Sequence, residues 1–211
     1  MPQKLDYLRE TASQTAGPYV HIGLAPKDAG FEIYRQELGK DIAGPNAAGE
    51  RIRVEGCVSD GMGSPVRDVL LEVWQANADG HYAHPEGVHS EGGGPVEEGF
   101  RGWGRIISDF QTGEWGFDTV KPGAVMGRDG RVMAPHLNLW IVSRGINIGL
   151  NTRMYFGDEE AANAVDPVLN LIEWEHRRKT LIAARDMRDG FPVYRFDIRL
   201  QGENETVFFD I

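Results

Sequence analysis

Hydrophobic and polar residues alternate over several short stretches of the chain. Arg51-Ile52-Arg53-Val54-Glu55 alternates strictly. In His136-Leu137-Asn138-Leu139-Trp140-Ile141-Val142, apolar residues recur at Leu137, Leu139 and Ile141, the period of a strand with one face on a core. That phase places His136 and Asn138 together on the other face. Near the C-terminus Tyr194, Phe196, Ile198 and Leu200 alternate with Arg195, Asp197 and Arg199, and Thr206-Val207-Phe208-Phe209 closes the chain. Residues 69–74 (VLLEVW) are apolar enough for a strand covered on both faces, and a further apolar run ends at Arg153-Met154-Tyr155-Phe156. Short strands are predicted at 105–107 and 114–120. Turns are predicted at Asp60-Gly61-Met62-Gly63, Ala78-Asp79-Gly80 and Lys121-Pro122-Gly123, the last followed by a loop; 85–104 reads as an irregular Gly-rich loop. Residues 1–30 show no regular element. Helix signals are few: acids open a short helix over 158–162, and Asp166-Pro167 resembles an N-cap with Pro at the first helical position. That second helix would run through Leu169 and Ile172 towards Arg178 and Ile182, in two pieces. Many short strands without a βαβ rhythm predict an all-β, single-domain sandwich with a few short helices and long loops. Its core would span 51–211, preceded by an arm and loops over 1–50.

Composition narrows the function classes. A chain of 211 residues, 41% of them hydrophobic, can bury one sizeable core. Twenty-seven glycines and 11 prolines fit a fold rich in turns. A formal charge of −10 argues against nucleic acid or an anionic membrane as partner, although a local arginine can still dominate a pocket. Cys57, the one cysteine, falls on a strand and reads as a small buried hydrophobe; no internal disulfide can form, as fits a reducing compartment. The opening MPQKLDYLRE has no apolar signal core and no run reaches membrane-spanning length, so the expected location is the cytoplasm.

Six histidines raise the question of a metal, but His81, His84 and His89 have no HExxH or CxxC context and read as solvent-facing loop residues. The small, polar stretch Thr11–Tyr19 reads either as a surface arm or as the lining of a polar pocket.

Three stretches make a larger pattern: Trp74-Gln75-Ala76-Asn77-Ala78-Asp79-Gly80-His81-Tyr82, the Lys121-Pro122-Gly123 turn, and the strand from His136 with Arg144 beyond it. Together they resemble the metal-binding half of an intradiol ring-cleaving dioxygenase. In that family W-x-A-N-x-x-G-x-Y ends on a tyrosine ligand of a ferric ion, KPG is followed by a second tyrosine, and the strand carries His-x-His. The matching positions here read Tyr82, Val125, His136 and Asn138, and the family's ring-side arginine falls on Met133. No tyrosine occurs between His84 and Arg153 to replace the second phenolate. Val125 offers no donor and Asn138 only a neutral carbonyl, too little to hold Fe(III) in water. The resemblance thus implies an iron-free chain with no metal ligand and no catalytic residue of its own, Tyr82 being a buried phenol. Fe(III) would be bound by a homologous β chain, paired in αβ protomers of a larger hetero-oligomer. The substrates would be a small aromatic acid, a catechol bearing a carboxylate, and O2, the ring opening between the two hydroxyl-bearing carbons. This chain would complete the inter-chain pocket through residues 1–50 and Arg144. The guanidinium of Arg144 would take the carboxylate, and Thr15, Gly17 and Tyr19 would line the wall. On residue type alone, Arg144 reads equally as half of a surface ion pair. Two other functions fit less of the pattern: an autonomous intradiol dioxygenase with substitute ligands, or a sandwich binding module without enzymatic role.

Overall fold

The computed structural model describes residues 15–17, 19–35, 42–84, 94–127 and 129–210. His89, most of the Thr11–Tyr19 stretch and the centre of the Gly-rich loop lie outside them. Strand β1 (Arg51–Ser59) has β4 (Glu114–Val120) on one side, antiparallel from Arg51↔Val120 to Cys57↔Glu114. Its other side pairs in parallel with β10 (Phe191–Arg195) and β11 (Ile198–Arg199), and β9 (Ile182–Arg188) lies antiparallel to β10. In the second layer β2 (Leu70–Gln75) runs between β3 (Trp103–Ile107) and β7 (His136–Val142), followed by β8 (Leu150–Phe156), all antiparallel. The layers join where β8 and β9 pair in parallel, at Tyr155↔Ile182 and Phe156↔Ala183.

Alternation explains why the layers stack. Ile52, Val54 and Val58 of β1 and Trp115 and Phe117 of β4 point inward against Leu71 and Val73 of β2, Leu137, Leu139 and Ile141 of β7, and Met154 and Phe156 of β8. Each such side chain contributes roughly 1.5–3 kcal/mol on burial. This is the predicted sandwich. Ile42 is buried in the same core and Ala43 in a cluster with Phe100 and Val120, so chain ahead of residue 50 also packs inward.

Several local expectations are corrected. The 1–30 stretch holds a short helix, α1 (Tyr19–Leu24), anchored by buried His21, whose ring meets Phe110 edge-on at 5.3 Å. The loop after Lys121-Pro122-Gly123 contains a small hairpin, β5 (Val125–Met126) with β6 (Val132–Met133). The first acidic helix is α2 (Glu160–Val165). The helical segment expected after Asp166 does come in two pieces, a single 3₁₀ turn (Leu169–Leu171) and the short α3 (Glu175–Lys179). Ile182, expected at the end of the second helical piece, instead opens β9, whose backbone groups are taken up by β10 and β8. Residues 206–209 make one isolated bridge, Asn151↔Phe209. Cys57 lies on the outer face of β1 and is half-buried, not a core residue; burial pushes its thiol pKa up, and Glu114 and Asp197 add to the shift. Among the described residues no helix is long and apolar enough to cross a membrane.

Candidate functional site

The Trp74–Tyr82 motif is a device for building one turn. Asn77, almost fully buried, accepts the backbone N–H groups of Asp79 at 3.1 Å and His81 at 2.9 Å through Oδ1, and its own N–H donates to the His81 carbonyl at 2.8 Å. Gly80 turns the chain at φ +83°, with the Ala124 carbonyl 1.9 Å from where a Cβ would sit. Gly123 is equally confined, a Cβ there meeting the Ala78 carbonyl at 2.3 Å, and its N–H donates to the Asn77 carbonyl at 2.9 Å. Only glycine allows these two backbones to touch, and the contact carries Tyr82 to Val125. Both are buried with Ala76 and Met133, and Trp74 stacks on the Tyr82 ring at 5.6 Å.

From the facing strand β7, His136 and Asn138 reach the same place, so all four matched positions converge. His136 Nδ1 lies 2.7 Å from the Ala134 carbonyl, which can only accept, so the proton is on Nδ1 and Nε2 is an acceptor. Tyr82 donates its hydroxyl to that Nε2 at 3.2 Å. The Tyr82 oxygen accepts from Asn138 Nδ2 at 3.0 Å, and Asn138 Oδ1 accepts from Arg153 Nε at 3.0 Å. Arg153 is the cross-strand partner of Asn138 on β8. Burial, reinforced by the Arg153 charge, pushes the His136 pKa down to about 4, so the ring is neutral at ordinary pH.

This relay does not fit a ferric ion. Val125 has no donor atom, the imidazole lone pair is engaged by the phenol, and the amide oxygen is engaged by a guanidinium. Arg153 also sets a fixed positive charge beside the cluster, where it would repel a trivalent cation. Among the described residues no group of three or more His, Cys, Asp or Glu could hold a metal; His81 instead places Nδ1 3.2 Å from the Pro95 carbonyl. The chain expressed by itself is therefore expected to contain close to zero iron per subunit by elemental analysis. A stoichiometric, visibly coloured Fe(III) site would overturn this reading.

Asp166 braces the relay from behind. Fully buried, it accepts Ala134 N–H at 2.8 Å, the Tyr155 hydroxyl at 3.1 Å, and Val168 and Leu169 N–H at 2.9 and 2.6 Å. Its capping role was legible in the sequence; its hold on Ala134, just ahead of β7, and on Tyr155 of β8 was not. Arg153 was likewise missed; the sequence shows it only at the head of the run Arg153-Met154-Tyr155-Phe156.

Arg144 lies at the other end of β7. It stands two residues beyond the strand's end, and the strand from Asn138 to Val142 alone spans roughly 13 Å. Its side chain is 62% exposed, and Nε bonds to Asp68 Oδ2. The buried Ser143 donates its hydroxyl to Asp68 Oδ1 at 2.9 Å. Gly145 N–H donates to Thr15 Oγ1 at 2.7 Å, which fastens the N-terminal segment to the Arg144 loop. Gly17 follows, exposed, and Tyr19 opens α1 with 78% of its surface free. Thr15 is thus brought beside the Arg144 loop, while Gly17 and Tyr19 are exposed. Asp68, at the foot of β2, had no sequence signal.

The chain matches the Dioxygenase family over residues 29–202. It is 53% identical to the protocatechuate 3,4-dioxygenase alpha chain of Pseudomonas putida, covering 98% of both chains. It is 37% identical to the protocatechuate 3,4-dioxygenase beta chain of Burkholderia cepacia, covering 75% of this chain and 67% of that one. In fold it is similar to catechol 1,2-dioxygenase from Pseudomonas arvilla C-1, with a TM-score of 0.55 at 20% identity, covering 87% of this chain and 68% of the other.

Proposed function

The chain belongs to the intradiol dioxygenase family, and on that premise we propose that it is the iron-free α chain of a protocatechuate 3,4-dioxygenase. In this reading it pairs with a homologous β chain in a cytoplasmic αβ hetero-oligomer. The complex opens 3,4-dihydroxybenzoate with O2 to 3-carboxy-cis,cis-muconate, an early step of aromatic acid catabolism by the β-ketoadipate route. Fe(III), held by the β chain, supplies the chemistry at the diol. The part of this chain is recognition. Arg144, always charged and forked, takes the carboxylate, while Thr15, Gly17 and Tyr19 shape the wall beside it.

One observation supports the division of labour above the rest. Arg144 stands at the opposite end of β7 from His136 and Asn138, too far to serve a ligand over its own chain's relay. If its guanidinium binds substrate, the reacting diol must lie in another subunit. The direct test is reconstitution. The α and β chains, each inactive or weakly active when expressed apart, should give full protocatechuate turnover when expressed together. Full activity of the β chain without this one would remove the proposal.

Such a partnership also predicts how the chain behaves by itself. Phe31, Ile33 and Tyr34 are 48, 62 and 60% exposed within four residues, more apolar surface than a short loop needs. An obligate interface buries on the order of 2,000 Å² or more. Expressed without β, the chain is expected to self-associate or precipitate; a stable, well-behaved monomer on size exclusion would argue against an obligate pair.

A further inference from the structure

Resting on the reading of Arg144 as the carboxylate-binding group, we propose that Asp68 is the positioning residue that decides which edge of its guanidinium meets the substrate. A guanidinium offers a carboxylate two bidentate edges: Nε with one terminal nitrogen, or the two terminal nitrogens together. Asp68 removes the first choice. Its Oδ2 takes Arg144 Nε, while Oδ1 takes the Ser143 hydroxyl, so the carboxylate is held from both sides and cannot swing away. Asp68 is 8% exposed, whereas the Arg144 side chain is 62% exposed, so the clamp lies inside and the free edge outside. The following residue is fixed as well, by the Gly145 N–H on Thr15. With Nε engaged and the backbone tied, Nη1 and Nη2, which have no partner among the described residues, face outward as a preset pair.

Two physical effects of Asp68 have opposite signs. As a negative charge beside Arg144, it weakens attraction for an anionic substrate. As a clamp, it spares the ordering of a long, rotamer-rich side chain, a cost that corresponds to about 2- to 12-fold in affinity per immobilised side chain. The clamp is the dominant effect in this proposal, because a screened charge acts on every orientation of the substrate while the clamp selects one.

The test uses the intact αβ enzyme with Asp68→Ala, Asp68→Asn, Arg144→Ala and the Asp68→Ala/Arg144→Ala pair. Each is assayed for kcat/KM on protocatechuate and on catechol, which lacks the carboxylate. Asp68→Ala is expected to lower the preference for protocatechuate by about 2- to 12-fold, with a smaller loss in Asp68→Asn, which keeps one oxygen acceptor. Added to Arg144→Ala, the Asp68 change should lower that preference no further, because Asp68 acts through Arg144. A preference that rises in Asp68→Asn would mean that charge damping is the main role, and the positioning proposal would fall. Equal losses on both substrates, or a further loss in the double variant, would make Asp68 a support of the fold and overturn it too. If Arg144→Ala itself leaves the preference intact, the carboxylate-binding reading fails first and takes this proposal with it.

Discussion

Arg144→Ala in the αβ enzyme is expected to lower kcat/KM for protocatechuate by roughly 10- to 150-fold. The figure follows from a charge-assisted hydrogen bond worth about 1.5–3 kcal/mol, at 1.4 kcal/mol per factor of ten. Catechol should lose much less, so the preference for protocatechuate over catechol should shrink. Iron content of the complex should stay the same, because Arg144 coordinates nothing. The structure adds one control. Truncating Arg144 leaves Asp68, 8% exposed, with a carboxylate held by Ser143 and without its guanidinium partner. That carboxyl lies below the usual range: burial alone would raise it, and the bonds from Arg144 and Ser143 outweigh the burial. Some loss of stability should therefore accompany the variant, and thermal midpoints must be measured beside the kinetics. Equal losses on both substrates would identify Arg144 as an interface residue. No loss on either would leave it as the outer half of an ion pair with Asp68.

The second large effect is expected at Asp166. Replacement by Ala strands four donors at once: the N–H groups of Ala134, Val168 and Leu169 and the hydroxyl of Tyr155. A buried donor without a partner costs about 1–3 kcal/mol. Water entering the gap would recover part of that, so a net loss of about 4–6 kcal/mol is expected. At about 2–4 °C per kcal/mol for a chain of this size, the thermal midpoint should fall by roughly 8–24 °C. Asp166→Asn keeps an oxygen for the peptide N–H groups and should lose clearly less. A drop of only a degree or two in the alanine variant would show that the four bonds are dispensable, and the account of Asp166 as the brace behind His136 would be wrong.

Both residues were visible in the sequence, but their partners were not: Asp68 for Arg144, Ala134 and Tyr155 for Asp166. Strands β1, β4 and β7 were legible because each buries mainly one face, which writes a period of two into the residues, and β8 because it ends in an apolar run buried on both faces. β9 carries no such pattern: after Ala183 its residues 184–188 are all exposed, so nothing in IAARDMR distinguishes it from the end of a helix. β5 and β6 are two residues each, too short for any period. The four matched positions, Tyr82, Val125, His136 and Asn138, were legible for another reason. Asn77, Gly80 and Gly123 are backbone devices whose chemistry permits few substitutes, and they mark the loop that brings Tyr82 to Val125. Arg153 and Asp68 had no comparable mark. One acts through cross-strand register, the other through contact with a loop 76 residues further along. Neither relation is written locally. Cys57 shows the converse error: a residue in a correctly placed strand was assigned to the wrong face.

The position of β1 sets the order in which the molecule can be completed during synthesis. One edge of β1 is closed by β4, which is available once residue 120 has been made. The other edge pairs Val54 with Tyr194 and Val58 with Ile198, so it must wait for nearly the whole remaining chain. Throughout that interval a nine-residue strand presents unpaired N–H and C=O groups, the feature that recruits foreign strands. Contacts so distant in sequence also form slowly. The time between residues 120 and 198 is therefore when a nascent chain of this topology is most exposed to aggregation. Slower synthesis over residues 120–198 is accordingly expected to raise the aggregated fraction, which a pulse-chase of soluble against insoluble subunit would measure.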